Sequence, residues 1–481
     1  MKNLGPLLFC ITFSIIGFAQ DTIAIDKSSY YGIDENHKMI VFQQLFLDSL
    51  VLNANKIERF ELEGETYSML ENQQALLTTE SYDVVKATDT FKLFVTSLPI
   101  IKLNSTDSIV DEPKRHATFS YVDIASSFKS NVGIEWRGNS ALKYPKKSYD
   151  LELREDRFSE KSINFKFGSL RDDDDWVMNS VYNEPLKLRS YFSTKLWLDV
   201  QKPHYIAEEP KAKSYTDMVF AEVFLNETYQ GVYLFSEQLD RKLLQLKKIK
   251  GDTVLGELFK AGSYNDGTAF KAAPEFNNAF PHWAGFEMEY PYENYEAHWD
   301  NLHDFIAFVS NSTDSEFKNK ISSYLDIDNA VDYFLFINLL RGTDNMSKNY
   351  FLAKYDQDTP YFFVPWDLDG VMGTIQDGKR IATTDDILTN NLFQRLKATN
   401  ASDYRAKVKA RWKELRTNVY SGMKLFEHLD STYNLMNDQK IYERDELAWG
   451  RTNKIADDYE YLKKWLSERL VYLDSVFEEF E

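Results

Sequence analysis

FINLLRGTDNMSKNYFLAKYDQDTPYFFVPWDLDGVMG, residues Phe336 to Gly373, decides how the rest of the chain is read. It opens as the end of an apolar helix and breaks at Arg341-Gly342. A polar loop carrying Asp344, Asn345 and Asn349 follows. Two apolar runs, NYFLAKY and YFFVPWD, then flank the turn signal Asp356-Gln357-Asp358-Thr359-Pro360, the pattern of an antiparallel hairpin. Pairing Tyr355 with Tyr361 sets Asn349 opposite Asp367. Because side chains alternate along a strand, Asp367 and Asp369 then share a face. Asp344 stands at the same end of the hairpin. Singly, Asp and Asn are ordinary turn and helix-end residues. Carboxylates and an amide oxygen gathered at the mouth of apolar strands are a different matter. Hard oxygen donors in this grouping suit a divalent cation such as Mg2+, which commonly rests on one or two carboxylates plus substrate phosphates.

Working outward, 481 residues allow one large domain with additions, or two to three domains. Hydrophobic residues at 43%, with 15% aromatics, argue for a packed globular protein. A formal charge of -19 disfavours nucleic acid as a partner, because phosphate binding needs a basic surface. Residues 1–20, MKNLGPLLFCITFSIIGFAQ, have the charge and apolar run of a secretory signal peptide, with small residues before an expected cleavage near Ala19 or Gln20. The single cysteine, Cys10, falls inside it, so the mature chain is expected to have no disulfide and no Cys-based zinc site. No later segment reads as a membrane span, and a secreted, periplasmic or cell-surface location follows.

Residues 21–97 read as a small β-rich N-terminal region. The main domain is placed at 98–416, and 417–481 as C-terminal helices packed on it. Within the main domain, NVGIEWR reads as a strand and GNSALKYP as a turn-rich loop. KKSYDLELRE alternates, with Lys147, Tyr149, Leu151 and Leu153 on one face and Lys146, Ser148, Asp150 and Glu152 on the other. In a nucleotide cleft, Arg137, the Gly138-Asn139-Ser140 loop and Lys147 would grip phosphates; the plain alternative is a solvated hairpin. The run Asp172–Asp175 reads as an exposed turn. Asn183, followed by Glu184 and Pro185, reads as the cap of a helix to about Val200. MVFAEVFLNETYQGVYLFSEQLD is a hairpin turning at Asn226-Glu227, and the chain leaves its sheet at Glu237. GELFKAG supplies Lys260. DIDNAVDYFLFINLLRG is a helix capped near Asp326 or Asp328 that delivers the chain to the Asp344 loop. KRIATTDDIL reads as mobile, and amphipathic helices complete the chain. Strands first and helices later make the fold class α+β.

The spacing Asp344-x-x-x-x-Asn349, a hairpin, then Asp367 follows the working order of a protein kinase: catalytic-loop Asp, metal-binding Asn, metal-binding Asp. With the blocks WRGNSALKYPKKSYDLEL, WVMNSVYNEPLKLRSYFSTKLW, EVFLNETYQGVYLFSEQLDR, GELFKAG, INLLRGTDNMSKNYFLAK and FVPWDLDGVMG in order, the chain resembles the CotH kinase family, secreted atypical protein kinases similar to spore coat protein H. The resemblance covers roughly Leu98 to Arg416. It implies an atypical protein-kinase-like bilobal fold, with a β-rich N-lobe and a helical C-lobe, that binds ATP with Mg2+ or Mn2+. It also implies phosphate transfer to Ser or Thr of an exported protein. Carried onto these residues, Asp344 is the catalytic aspartate, and Asn349 and Asp367 hold metal with Asp369 as their partner. Lys147 grips phosphate, with Lys146 and Lys260 as rivals, and Glu237 lies at the hinge. One departure is Asn183-Glu184, where the family often carries Asp before the helix. The alternative function is a catalytically inactive kinase-like binding module on a cell-surface or extracellular assembly. A metal-dependent hydrolase has less to use, with no HExxH and seven histidines.

Overall fold

The structure is a computed structural model that describes residues 22–25, 28–44, 56–159, 161–292, 296–451 and 454–481. Residues 1–20, the expected leader, and with them Cys10, lie outside the described residues. Strands dominate the first half of the chain and helices the second, a mixed α+β architecture.

The N-terminal region folds into a seven-stranded sheet spanning Thr22 to Thr96. Its run MIVFQ, one strand in from the sheet edge, alternates poorly between apolar and polar residues because both faces of the strand Met39–Gln43 are buried. Ile40 and Phe42 pack into the sheet's own core. Met39 and Val41 instead meet Phe224 and Tyr229 of the next layer. A strand covered on both sides needs no polar face.

That next layer is a closed barrel of seven strands: Ile100–Asn104, Arg115–Val122, Ser127–Arg137, Ser148–Arg154, Asp175–Asn179, Met218–Leu225 and Thr228–Glu237. Alternate residues such as Ile134, Leu151, Met178, Val223 and Phe235 fill its interior. The outward-facing Phe220, Val232 and Leu234 join the large core shared with the helices. Its last hairpin turns at Asn226 and Glu227, with φ of 49° and 60°, the doubly left-handed turn that suits the twist of paired strands.

The second half is built around the helix Ile327–Leu340, which is buried on nearly every side. Asp326 caps it by accepting from the Asp328 and Asn329 amides. Against it lies a five-stranded sheet: His282–Trp283, Phe286–Tyr290, Glu257–Ala261, Tyr350–Lys354 and Tyr361–Pro365, in that order. Asn329 keys helix to sheet, its side chain donating to the Phe363 carbonyl (3.1 Å) and accepting from the Phe363 amide (2.7 Å).

The C-terminal helix Ile455–Glu478 corrects the reading of KRIATTDDIL as mobile. From it Trp465 donates to the Thr383 carbonyl and Arg469 to the Thr384 and Asp386 carbonyls, while Asp457 and Asp458 pair with Arg380. These contacts are distant in sequence, which is why the segment looked unsupported. Among the described residues no helix is long and apolar enough to cross a membrane.

Candidate active site

The site begins where the central helix stops. Arg341 turns left-handed (φ 55°), and at Gly342 a Cβ would approach Asn345 Oδ1 to 2.5 Å, so only glycine leaves room for that side chain. Asn345 is buried and donates to the carbonyls of Asn349 and Trp366, both at 2.7 Å. It thereby ties the Asp344 loop to both strands at the hairpin mouth.

The hairpin register is one residue away from the expected one. Lys354 pairs with Tyr361 and Tyr350 with Pro365, so Asn349 faces Trp366, whose amide donates to the Asn349 carbonyl (3.1 Å). Tyr355 falls in the turn because its ring stacks on Tyr205 at 4.0 Å, a contact no local pattern reveals. Asn349 and Asp367 meet nonetheless, Nδ2 to Oδ2 at 3.2 Å, because both adopt φ 55°. The strand ends at Pro365, so Asp367 and Asp369 do not share a strand face. A turn brings them together.

Asp367 remains open to solvent although protein surrounds its carboxylate, the situation of a side chain on the floor of a cleft. Desolvation raises its pKa above the ordinary value. Asp344 adds to the rise, and Lys348, Arg137 and Lys260 oppose it. Asp369 is pushed up to about 8, first by burial and then by the charge of Asp367. Arg137, the last residue of its barrel strand, lies over the Trp366 ring at 5.7 Å and so brings the barrel rim to the hairpin mouth. Lys260 stands between Glu287 (3.4 Å) and Glu289 (3.6 Å) on the adjacent strand.

The structure therefore brings Asp344, Asn349, Asp369, Arg137 and Lys260 into the surroundings of Asp367. Their carboxylates are not all packed around one point: among the described residues, the only acidic trio with ligand atoms within 4.8 Å of one another is Asp173, Asp174 and Asp175. Asn349 with Asp367 forms the tight pair, Asp369 is its neighbour, and Asp344 stands off.

The CotH kinase protein family matches residues 134–473. The chain belongs to that family. The match starts inside the barrel and runs past Arg416 into the C-terminal helix, leaving the N-terminal sheet outside. The chain is also similar to the inner spore coat protein H of Bacillus subtilis (strain 168), with 22% identity over 252 residues. That alignment covers 52% of this chain and 62% of the relative, less than two thirds of its length.

Other residues singled out from the sequence lie elsewhere in this CotH-family fold. Lys147 precedes its strand rather than sharing the strand's apolar face. Its ammonium donates to the Leu142 carbonyl and lies over the Trp136 ring at 5.2 Å. Lys146 is buried, donating to the Val232 carbonyl (2.8 Å) and lying 3.7 Å from Asp445. Glu237 does end its strand, but its buried carboxylate accepts from the Arg171 and Asp217 amides and pairs with Lys213. The helix expected from Asn183 starts at Arg189, and Glu184 caps it by accepting from the Leu188 and Arg189 amides.

Asn183 is thereby free to reach the site, donating to Asp369 Oδ2 (2.7 Å) and to the Gln376 carbonyl (2.6 Å). Reading the sequence also missed Tyr264, Lys348, Glu287 and Glu289. The alternation of FEMEY would have placed both glutamates on one face. Nothing local marks Tyr264. A cavity of about 630 Å³, lined by residues including His204, Asp326 and Arg411, lies at the opposite end of the central helix, away from this chemistry.

Proposed function

We propose that the chain is a secreted atypical protein kinase, transferring the γ-phosphate of ATP to a Ser or Thr hydroxyl of an exported protein with Mg2+ or Mn2+ as cation. The observation that carries this reading is the grouping of Asp344, Asn349, Arg137 and Lys260 around Asp367, inside the stretch that matches the family. On this reading the barrel and the helical half are the two lobes of a kinase-like fold.

The donor chemistry fits a hard divalent ion. Asp367 and Asn349 supply adjacent oxygen-bearing groups, Asp369 lies beside them, and neither aspartate has an ion pair within 4.0 Å to a described Lys, Arg or His. Such an ion, when bound, supplies charge neutralisation at the transferred phosphoryl group.

The protein's own groups do the positioning. Asp344 orients the acceptor hydroxyl and takes its proton, while Arg137 and Lys260 hold phosphate oxygens. Asn183 fixes Asp369 from the side. Fixed charges in a cleft stabilise developing charge without reorganising, and that is most of the work in phosphoryl transfer. The coat-protein relative and the leader-like first residues support a place outside the cell or on its surface.

The test is transfer of label from ATP to a serine-containing bait protein by the purified chain with Mg2+, compared with Asp367→Ala. Equal labelling by the two proteins would defeat the assignment. Thermal shift with ATP and Mg2+ measures binding separately, since a ligand that binds only the folded state raises its melting temperature.

A further inference from the structure

Among the described residues Tyr264 is the one hydroxyl shown donating to the Asp344 carboxylate. It lies just beyond the strand that carries Lys260, and its side chain is 59% exposed, so packing does not force it there. The loop beneath it is nevertheless firmly built. The Gly262 and Ser263 amides donate to the Gly285 carbonyl (3.0 and 3.2 Å), and Thr268 Oγ1 donates to the Ser263 carbonyl (3.0 Å). From the other side Lys348 Nζ lies over the Tyr264 ring at 5.7 Å. A phenol held against the carboxylate assigned to accept the acceptor's proton stands where an acceptor hydroxyl would stand. General-base chemistry requires that hydrogen bond before transfer.

We propose that Tyr264 is a phosphate acceptor of the protein itself, an inference that rests on the kinase reading above. In the step, the phenolic oxygen bonds to the γ-phosphorus of ATP and the bond from that phosphorus to the β–γ bridging oxygen breaks. ADP leaves, and the phenolic proton passes to Asp344. The phosphorylated side chain, next to the carboxylate of Asp344, is repelled from it and vacates the position for an external hydroxyl.

The experiment incubates the purified full chain with ATP and Mg2+ and maps phosphate by peptide mass spectrometry, with Tyr264→Phe and Asp344→Asn as variants. Expected is phosphate on Tyr264 at a fractional occupancy independent of protein concentration, as transfer within one molecule requires, and at least tenfold lower in Asp344→Asn. Tyr264→Phe, a conservative change at an exposed ring, loses that modification while its melting temperature stays that of wild type. Phosphate on the bait or on other residues with Tyr264 unmodified overturns this inference while leaving the kinase reading intact. Tyr264 modified equally in Asp344→Asn also overturns it. No transfer to any hydroxyl defeats both readings together.

Discussion

Two groups of carboxylates in this molecule invite comparison. Asp173, Asp174 and Asp175 lie close enough to share an ion, but Lys242 already sits among them, 2.8, 2.9 and 3.1 Å from the three. Arg171 pairs with Asp173 as well. Asp367 and Asp369 have no such partner within 4.0 Å among the described residues; they face Asn349 and Asn183 instead. The first group is neutralised by the fold and serves as a brace between the barrel and the short helix Arg241–Leu244. The second has no such ion pair, and its pKa values are raised first by burial and then by neighbouring carboxylates. Density of acidic residues is thus a poor guide to function. Whether a lysine fills the gap is a better one.

The sharpest way to break this comparison is a paired mutation. Asp367→Ala is expected to lower phosphotransfer by about 1,000-fold or more, the scale for losing a charge-stabilising group. Asp173→Asn is expected to leave activity within a few-fold of wild type, measured as label incorporated into a bait.

Next in size is Glu184→Ala. It strands Arg189, whose guanidinium donates to the Val371 and Met372 carbonyls just after the site aspartates. Both partners are buried, so breaking the pair is expected to cost about 3–5 kcal/mol in urea-measured stability.

Lys242→Ala tests the brace itself. Because the lysine is 41% exposed, the loss of stability is expected to be only about 1 kcal/mol. The variant should also gain a Ca2+-dependent rise in melting temperature that wild type lacks, since Asp174 and Asp175 lose their cation beside Asp173, which keeps Arg171. No gain would mean the trio is not an ion site held shut.

The last test concerns the pH dependence set by Lys146. Burial, reinforced by the charge of Lys187, brings its ammonium down to about 7 from 10.5. Between those values the unfolded chain holds more protons, so stability rises with pH across the window, and the penalty is complete below pH 7. Lys146→Met should flatten that rise in urea midpoints taken from pH 7 to 10. An unchanged slope would show that the buried amine stays charged, held by Asp445.

Much of the fold was legible because its signals are local. The hairpin at Asn226-Glu227, the cap at Asp326 and the strand–turn–strand after Asn349 are written in turn chemistry and periodicity within a few residues. The acidic loop was legible for the same reason. Misreadings arose where a distant side chain intervened. Tyr205 pulls Tyr355 into the turn and shifts the register, and Glu184 caps the helix that Asn183 was expected to start. Lys242 converts an apparent exposed turn into a partly buried brace.

By itself the sequence determined the strand and helix order, the hairpin with its oxygen-bearing mouth and the membership of the CotH kinase family, each of which depends on neighbouring residues or on an ordered set of blocks. Tertiary structure alone decided which cations act on Asp367, choosing Lys348, Arg137 and Lys260 and consuming Lys146 and Lys147 elsewhere. The reason is the reach of a charged side chain. Where its head group settles depends on which carbonyls and carboxylates from remote parts of the chain come within a few ångströms, and no linear pattern records that approach.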